Sequence, residues 1–314
     1  MAANNPNSIE TGQSNQFDCS VQSNQPVQSK RYFDYVSVNL IEDLCSKAAE
    51  NLNSDNLDSD DLDSDDLDSD DLFSFTEHVD SFFKKFGFTD VILFKKPGKF
   101  DSDFSGVYHS LLNGDGAVRY YNGIEIEAEN ENALHSLIRK ERPNADFIAV
   151  RSSDEKVIRA AAESPEADLV IPVTYAAGRA QNGSSNLHVS AGQINHIVAK
   201  IARDRKTAFG FDLYPFLQTK GYRRSKLFSD CMEMIPVLNK YNVPVLTISG
   251  AISFYDARGP YECEAFGTLL GLSREESAKG VSQFPAEIIE RRKKQRSGQI
   301  IASGVEILTE DLQD

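Results

Sequence analysis

Residues 210–226 read GFDLYPFLQTKGYRRSK, and this stretch decides the fold that the sequence predicts. It begins inside a strand predicted over 207–213, passes a short loop that starts at Tyr214-Pro215, and enters a helix at Gly221. Apolar residues follow in this helix at a spacing of three to four: Leu227, Cys231, Ile235 and Leu238. That spacing predicts one buried helical face. A strand that leads into such a helix is typical of parallel α/β folds.

The first turn of this helix is basic and carries Arg223, Arg224 and Lys226. Cations at the N-terminus of a helix oppose the helix dipole by roughly 0.3–1 kcal/mol each. The placement becomes favourable if an anion binds there, to the free backbone amides and to these side chains together. A solvated basic turn without a ligand is the alternative.

Strands and helices alternate along most of the chain. Strands are predicted over 30–40, 90–94, 119–128, 146–150, 169–173, 207–213, 243–249 and 299–308. Helices are predicted over 75–86, 130–142, 154–163, 190–205, from 221 onward, and over 260–271 and 274–296, with a long loop at 97–117. Most strand interiors are continuous apolar runs, which indicates a parallel sheet covered by helices. Seven or eight such units in about 240 residues favour a TIM-barrel-like (β/α) barrel, with parallel strands ringed by helices.

The composition predicts one domain that begins after a polar tail. Residues 1–29 are rich in Asn, Gln and Ser, so we expect a disordered tail, and residues 30–314 form the barrel domain. There is no run of eighteen apolar residues and no secretory signal pattern, so no membrane span is expected. The four cysteines are scattered, which is typical of reduced thiols in the cytoplasm: Cys19, Cys45, Cys231 and Cys263.

Residues 51–72 form an acidic low-complexity insertion, built on copies of Asp-Leu-Asp-Ser-Asp. They contain ten aspartates and no Lys or Arg, in a chain whose net charge is −15. A period of five fits neither a helix nor a strand, so we expect a flexible insertion between the first strand and its helix. Calcium binding is an alternative, although the ligand order of an EF-hand is absent.

In a barrel of this kind, functional residues lie at the C-terminal ends of the strands. These ends carry Lys95, Glu127, Arg151, Asp212 and Ser249. A metal-dependent hydrolase needs several histidines and carboxylates that converge there, and none of the 5 histidines ends a predicted strand. The sequence therefore predicts no metal site.

Glu125 and Glu127 are two residues apart on one strand and share a face of the sheet. Two carboxyl groups in this arrangement could act as a general acid and base. The alternative is that both are solvated or paired with neighbouring Lys and Arg side chains.

The basic residues are clustered, as follows: Lys95, Lys96, Lys99, Arg203, Arg205, Lys206, Lys220, Arg223, Arg224, Lys226, Arg258, Arg291, Arg292, Lys293, Lys294 and Arg296. The last run also suits the C-terminal end of a helix, where cations complement the dipole. Clusters interleaved with Tyr214, Tyr222 and Phe228 favour contacts with an RNA backbone.

Six motifs in order resemble protein component 3 of archaeal ribonuclease P. They are GQINH at 192–196, FDLYP at 211–215, GYRR at 221–224, ISGA at 248–251, DARGP at 256–260 and FPAEII at 284–289. The resemblance covers roughly residues 119–292 and is weaker from residue 31 onward. The polar tail and the acidic repeat depart from the family pattern, and the repeat could either repel RNA or mimic it.

The resemblance implies a TIM-barrel-like protein without an active site of its own. Such a protein is a subunit of ribonuclease P, the endoribonuclease that removes the 5′ leader from precursor tRNA. It implies that the RNA subunit with bound magnesium performs the hydrolysis, and that the protein itself binds no cofactor. The implied partners are the catalytic RNA, protein component 2 (the small subunit), other ribonuclease P proteins and precursor tRNA, in the cytoplasm and without a membrane.

The predicted RNA-binding residues are Lys220, Arg223, Arg224, Lys226, Arg258, Arg291, Arg292, Lys293 and Lys294, and no residue is predicted to be catalytic. Asp256 is a further candidate for the functional surface. The competing hypothesis is a barrel metallo-hydrolase that acts on a phosphorylated small molecule through Glu127 and Asp212.

Overall fold

The structure is a computed structural model that describes residues 30–53, 69–98, 104–173, 194–298, 300–302 and 305–306. Contacts divide the chain into Met1–Lys30 and Arg31–Asp314. The predicted tail at 1–29 lies outside the described residues, and the fold below is that of the second unit. Within the described ranges, no helix combines the length and apolar character needed to cross a membrane.

Seven parallel strands in the described part of the chain pair in sequence order. They are β1 (Phe33–Ser37), β2 (Asp90–Lys95), β3 (Arg119–Ile126), β4 (Phe147–Ser152), β5 (Leu169–Pro172), β6 (Ala208–Asp212) and β7 (Val245–Ile248). The chain after β7 returns to β1, where the Gly250 amide donates to the Tyr35 carbonyl at 3.2 Å and the Ser37 amide donates to the Ala251 carbonyl at 2.9 Å. These bonds nearly close the sheet, so the predicted TIM-barrel-like fold is confirmed, with seven strands.

Helices surround this sheet. They are α1 (Asn39–Asn53), α2 (Ser69–Phe86), α3 (Ser105–Asn113), α4 (Glu131–Glu141), α5 (Glu155–Glu163), α6 (His196–Arg205), α7 (Tyr214–Gln218), α8 (Tyr222–Lys240), α9 (Pro260–Leu270), α10 (Arg274–Gly280) and α11 (Gln283–Arg296). Short 3-10 turns lie at Arg142–Asn144 and Phe254–Asp256. The side chains of Asn130, Asp154 and Asn195 accept hydrogen bonds from first-turn amides of α4, α5 and α6, and so fix where these helices begin.

The interior of the barrel is filled by aromatic and aliphatic side chains. The Phe147 ring lies 5.2 Å from that of Tyr35 and 6.0 Å from that of Phe94. Ile288 and Ile289 of α11 are buried in the same cluster. Helix α11 therefore closes one end of the barrel, the end at which the strands begin.

Strand β1 is shorter than predicted, and the acidic insertion follows a helix instead of a strand. Strand β1 ends at Ser37, because the next apolar residues belong to α1: Leu40, Ile41, Leu44 and Cys45. Their spacing buries one helical face. The acidic insertion at 51–72 therefore falls between α1 and α2 instead of between a strand and a helix. Its two ends continue these helices, and residues 54–68 lie outside the described part.

Four further predictions are corrected. The predicted loop at 97–117 contains α3, which buries Val107, Tyr108 and Leu111. Residues 274–296 form α10 and α11 instead of one helix, since Pro285 is tolerated only in the first turn of a new helix. The short loop after β6 includes α7, and the last predicted strand is the antiparallel pair β8 (Ile300–Ala302) and β9 (Val305–Glu306).

The remaining predicted elements are confirmed to within a few residues, including the amphipathic helix of the opening stretch. Its four apolar positions, now in α8, are all buried: Leu227, Cys231, Ile235 and Leu238. Helix α6 begins at His196 instead of residue 190, and residues 190–193 lie outside the described part.

Candidate functional site

A cavity of about 630 Å³ opens at the carboxyl ends of the strands, and we call this opening the mouth. The charged side chains that line it come from the ends of β2, β3, β4 and β6. They are Lys95 and a set that we call the mouth network: Lys96, Glu125, Glu127, Arg151 and Asp212. The predicted strand-end residues Glu127, Arg151 and Asp212 are thus brought together.

The three carboxylates of the mouth network are paired with its two cations. Lys96 Nζ lies 2.8 Å from Glu125 Oε1 and 2.6 Å from Glu127 Oε1. Arg151 donates from Nε to Glu125 Oε2 at 3.0 Å and from Nη1 to Asp212 Oδ2 at 2.9 Å. Of the two interpretations of Glu125 and Glu127, pairing with neighbouring cations is the one confirmed.

This pairing makes Glu125 a poor general acid. Burial alone would raise the pKa of Glu125, but Arg151 and Lys96 outweigh burial and hold the pKa below its usual value. A general acid or base works best with a pKa near the operating pH. Glu125 therefore stays ionised, and its charge is already used by two neighbours.

The other two strand-end residues, Lys95 and Ser249, are not part of the mouth network. Lys95 Nζ lies 5.3 Å from the ring centre of Tyr108. Ser249 is fully buried and donates from Oγ to Asp34 Oδ2 at 2.6 Å, beside a bond from the Ser249 amide to Asp34 Oδ1 at 2.9 Å. Burial raises the pKa of Asp34 to about 7, although the bonds from Ser249 and Tyr35 act in the opposite direction. Asp34 and Ser249 therefore connect β1 to the chain after β7.

Across the described residues, no group of three or more His, Cys, Asp or Glu side chains could hold a metal ion. Four histidines lie on the outer helices α2, α3, α4 and α6, and the fifth, His188, is outside the described part. The two residues of the hydrolase hypothesis are both ion-paired, Glu127 to Lys96 and Asp212 to Arg151. That hypothesis is therefore not favoured.

The basic first turn of α8 follows Gly221, whose φ of +57° suits glycine. Arg224 Nε donates to the Thr219 carbonyl at 2.7 Å, and Lys226 Nζ lies 2.6 Å from Asp230 Oδ1. Each of these cations therefore stabilises its own segment. The neighbouring side chains Lys220, Tyr222 and Arg223 are exposed.

Arg258 and Asp256 hold the segment before α9. Arg258 Nη1 donates to the carbonyls of Tyr255 at 2.9 Å and Ala257 at 2.6 Å. Asp256 is buried and accepts from Gln218 Nε2 at 3.0 Å, which connects this segment to α7. Arg258 thus makes local contacts and Asp256 anchors the segment to α7, so the structure explains both residues through the fold.

The cations of α11 lie across the amino ends of the strands. Arg292 is buried and donates from Nη2 to the Pro165 carbonyl at 2.9 Å, while Arg291 donates from Nη1 to the Lys206 carbonyl at 2.9 Å. Lys293 and Lys294 are exposed, and Lys293 Nζ lies 5.2 Å from the ring centre of Tyr121. Helix α8 begins beyond the carboxyl end of β6, so the nine predicted RNA-binding residues do not form one patch.

A buried carboxylate organises two further arginines that sequence reasoning missed. Asp90, the first residue of β2, has no exposed surface. It accepts from Arg119 Nε at 2.8 Å and from Arg31 Nε at 3.1 Å. Parallel pairing places Asp90 opposite Phe33 of β1 and Arg119 of β3, which brings these side chains to one edge. The available signal was an aspartate directly before an apolar strand.

A second buried carboxylate, Asp168, precedes β5 and has the same role. It accepts from Arg142 Nη1 at 2.8 Å, from the Ile148 amide at 2.9 Å, and from Arg291 Nη2 at 3.4 Å, and Arg292 Nε is also bound to it. Burial lowers the pKa of Arg291 and Arg142, even though Asp168 acts in the opposite direction. The amino-end arginines, as we name this set, are Arg31, Arg119, Arg142, Arg291 and Arg292.

The family model described as RNase P subunit p30 matches residues 81–297 of the chain. The chain belongs to the RNase P p30 family. Among the relatives of this p30-family chain, ribonuclease P protein component 3 of Methanosarcina mazei is 34% identical over 189 residues, which cover 60% of this chain and 72% of the relative. The component 3 protein of Methanosarcina acetivorans is 35% identical over 194 residues, which cover 61% and 74%.

A solved structure also resembles this p30-family chain. A chain in the cryo-EM structure of archaeal ribonuclease P with mature tRNA superposes with a TM-score of 0.59 at 19% identity, over 89% of this chain and 99% of that one. At that identity the likeness supports the barrel fold. Family membership makes the chain a protein subunit of ribonuclease P, which confirms the function that the sequence resemblance implied.

Proposed function

We propose that this p30-family subunit supports the catalytic RNA of ribonuclease P during removal of the 5′ leader from precursor tRNA. Magnesium bound to that RNA, and not this chain, performs the hydrolysis. The observation that carries the proposal is the pairing of the mouth network, which leaves none of its three carboxylates available for chemistry. A subunit whose mouth carboxylates are all paired with cations of the same chain is suited to supporting the RNA and not to catalysis.

The proposed partners are those that the family resemblance implies. Protein component 2 is the proposed direct protein partner, with the other ribonuclease P proteins and precursor tRNA in the same assembly. A chain of similar fold occurs in an archaeal ribonuclease P structure with mature tRNA, which supports this set. The cytoplasm is the proposed location.

The first turn of α8 is one proposed RNA contact. Lys220 and Arg223 are exposed cations, and Tyr222 between them has 83% of its surface exposed. Exposed cations bind phosphates, and an exposed aromatic ring can stack on an unpaired base. Arg224, Lys226 and Arg258 are proposed to act by holding this surface in shape.

Reconstitution tests the proposal directly. Full-length chain, protein component 2 and the ribonuclease P RNA are combined with precursor tRNA and magnesium, and release of the 5′ leader is measured. We expect faster leader removal at low magnesium than with RNA and component 2 alone. An unchanged rate at every magnesium concentration would overturn the proposal.

The α8 contact is tested by the double variant Lys220→Ala/Arg223→Ala. We expect weaker RNA binding and a log–log salt dependence that is less steep by about 0.7–0.9 for each phosphate that is no longer neutralised. Lys156→Ala removes an exposed cation from α5 and is the matched control. If the double variant binds RNA like the control, this turn is not an RNA contact.

The hydrolase alternative is separated by a different measurement. Purified full-length chain is analysed for bound transition metals and screened against small phosphorylated substrates. A stoichiometric metal together with turnover that Asp212→Asn abolishes would favour the hydrolase. The mouth network predicts neither result.

A further inference from the structure

The end of the barrel where the strands begin carries a surplus of positive charge. Helices of a β/α barrel run back toward the strand starts, so their C-terminal ends meet at this end. The last turns of α2, α4, α6, α8 and α11 each carry Lys or Arg. Cations at the ends of these five helices therefore lie at this end of the barrel.

At the same end, the amino-end arginines outnumber the carboxylates that hold them. Five guanidinium groups surround Asp90 and Asp168, so three positive charges remain uncompensated within the cluster. Both aspartates also accept from neutral groups, for example from Thr89 Oγ1 and from the Ile148 amide. Satisfying two buried carboxylates does not require five arginines.

Several of these cations face solvent. The side chain of Arg119 is 54% exposed, and that of Arg296, which pairs with Asp146, is 53% exposed. Lys293 and Lys294 are exposed on α11. Glu290 of α11 lies 3.4 Å from Arg31, but its side chain is 65% exposed, so solvent screens much of its effect on the cluster.

The buried carboxylates hold these arginines in fixed orientations. A guanidinium group has five donors in a planar fork. Arg119 donates to Asp90 from Nε and Nη2, which leaves Nη1 of this half-exposed side chain for a second anion, whereas Arg31, Arg142 and Arg292 also donate to other protein groups. Arg31 and Arg119 share Asp90 and are thereby fixed side by side across β1 and β3. Prearranged donors bind an anion at a smaller entropy cost than flexible side chains do.

We propose that this amino-end face binds the phosphate backbone of structured RNA, with Asp90 and Asp168 as positioning residues. The amino-end face is defined by its exposed cations, which are Arg119, Lys293, Lys294 and Arg296. Arg31, Arg142 and Arg291 are mostly buried next to it. Its cations lie beside the starts of several neighbouring strands and along α11, so they fit an extended polyanion better than a single acidic side chain. The inference rests on the proposed function, because the RNA in question is that of ribonuclease P.

A matched pair of charge changes tests the positioning role. Asp90→Asn and Glu290→Gln each add one positive charge to the same face, but only the first removes an arginine anchor. If positioning matters, Asp90→Asn weakens binding of in vitro transcribed ribonuclease P RNA by roughly tenfold, while Glu290→Gln binds as well as wild type or more tightly. Asp90→Asn that binds as tightly as wild type would overturn the positioning role.

A second variant keeps the test decisive if Asp90→Asn fails to fold. Lys293→Ala/Lys294→Ala removes two exposed cations without touching a buried group. The slope of log Kd against log salt is expected to become less steep by about 1.4–1.8. An unchanged slope in a variant with a wild-type circular dichroism spectrum would overturn RNA binding at this face.

Two more outcomes separate this inference from its alternatives. If wild-type chain binds RNA and supports leader removal, but the amino-end variants behave like wild type, only this inference fails. If wild type neither binds nor supports processing, the proposed function fails as well. Competition by polyaspartate as effective as that by RNA, at equal charge concentration, would overturn the assignment to RNA and indicate an acidic polypeptide.

Discussion

The two ends of this barrel handle buried charge in opposite ways. At the mouth, three carboxylates pair with Lys96 and Arg151, and Lys95 also lines the cavity, so carboxylates and cations are equal in number. At the amino-end face, two carboxylates are surrounded by five arginines, and the excess is positive. The same kinds of side chain thus produce a compensated network at one end and a cationic surface at the other.

The difference is the basis for our proposal that this barrel meets RNA at its amino end. Barrel enzymes place their chemistry at the carboxyl ends of the strands, because the loops there are free to vary. Here the three carboxylates at that end are paired with Lys96 and Arg151. The opposite end, which usually serves stability, is closed by α11 and carries the surplus charge suited to a nucleic acid partner.

The largest expected effect tests the amino end. Asp168→Ala leaves Arg292, whose side chain is 9% exposed, without its carboxylate. An uncompensated buried charge costs about 3–5 kcal/mol, so the free energy of unfolding in urea should fall by that amount. Asp204→Ala breaks an exposed pair with Arg203 and is the control, with an expected change of at most about 1 kcal/mol. Equal losses in the two variants would show that Asp168 is not a buried anchor.

The second-largest expected effect concerns side-chain packing at the two ends of the barrel. Ile289→Ala removes a buried side chain of α11 from the barrel interior and should cost about 2–5 kcal/mol of unfolding free energy. Ile252→Ala makes the same chemical change at the mouth, where Ile252 is 37% exposed, and should cost less than about 1 kcal/mol. Thermal and urea unfolding of both variants measure the contrast. A larger loss of unfolding free energy for Ile252→Ala than for Ile289→Ala would contradict the closure of the amino end by α11.

The third effect depends on pH and concerns the closure between β1 and β7. Asp34 has a pKa raised by burial from 3.8 to about 7, so the folded protein keeps a proton that the unfolded chain has released. The free energy of unfolding should therefore decrease by about 1.4 kcal/mol per pH unit as pH rises through this window, and level off above it. In Asp34→Asn the group is neutral throughout, and this decrease should disappear. Urea midpoints of wild type and Asp34→Asn, measured between pH 4 and pH 7, test this prediction. If the variant keeps the wild-type pH dependence, Asp34 is not the group responsible.

The smallest expected effect is at the mouth. Lys96→Ala removes a cation that is 60% exposed, and exposed ion pairs contribute about 0–1 kcal/mol. Glu125 keeps Arg151 as its partner in this variant. We expect stability within about 1 kcal/mol of wild type and unchanged RNA affinity, in contrast with Lys293→Ala/Lys294→Ala. A loss of RNA affinity as large as that of the double variant would move the RNA contact to the mouth.

Local patterns predicted most of the fold, and their failures have local causes. The buried face of α8 was readable because its apolar residues recur at helical spacing. Helix α1 was missed because its apolar residues Leu40, Ile41 and Leu44 directly follow those of β1 and extend the apparent strand. Helix α3 was missed because Gly, Ser and Asp residues on both sides resemble a loop.

The candidate site was predicted only in part. The sequence indicated clustered cations, but it could not separate the exposed Lys293 from the buried Arg292 one position earlier. It also gave no reason to select Arg31, which follows the polar tail and Lys30, or Arg119, which stands alone among apolar and aromatic neighbours. Their partner Asp90 is 59 residues from Arg31 along the chain.

The sequence by itself determined the alternation of strands and helices, the barrel and the family, because periodicity and ordered motifs are properties of neighbouring residues. Only the tertiary structure decided which charges neutralise one another and which remain for a partner. The physical reason is that electrostatic pairing depends on distance through space. Closure of the barrel brings Asp168 and Arg292, 124 residues apart, into contact.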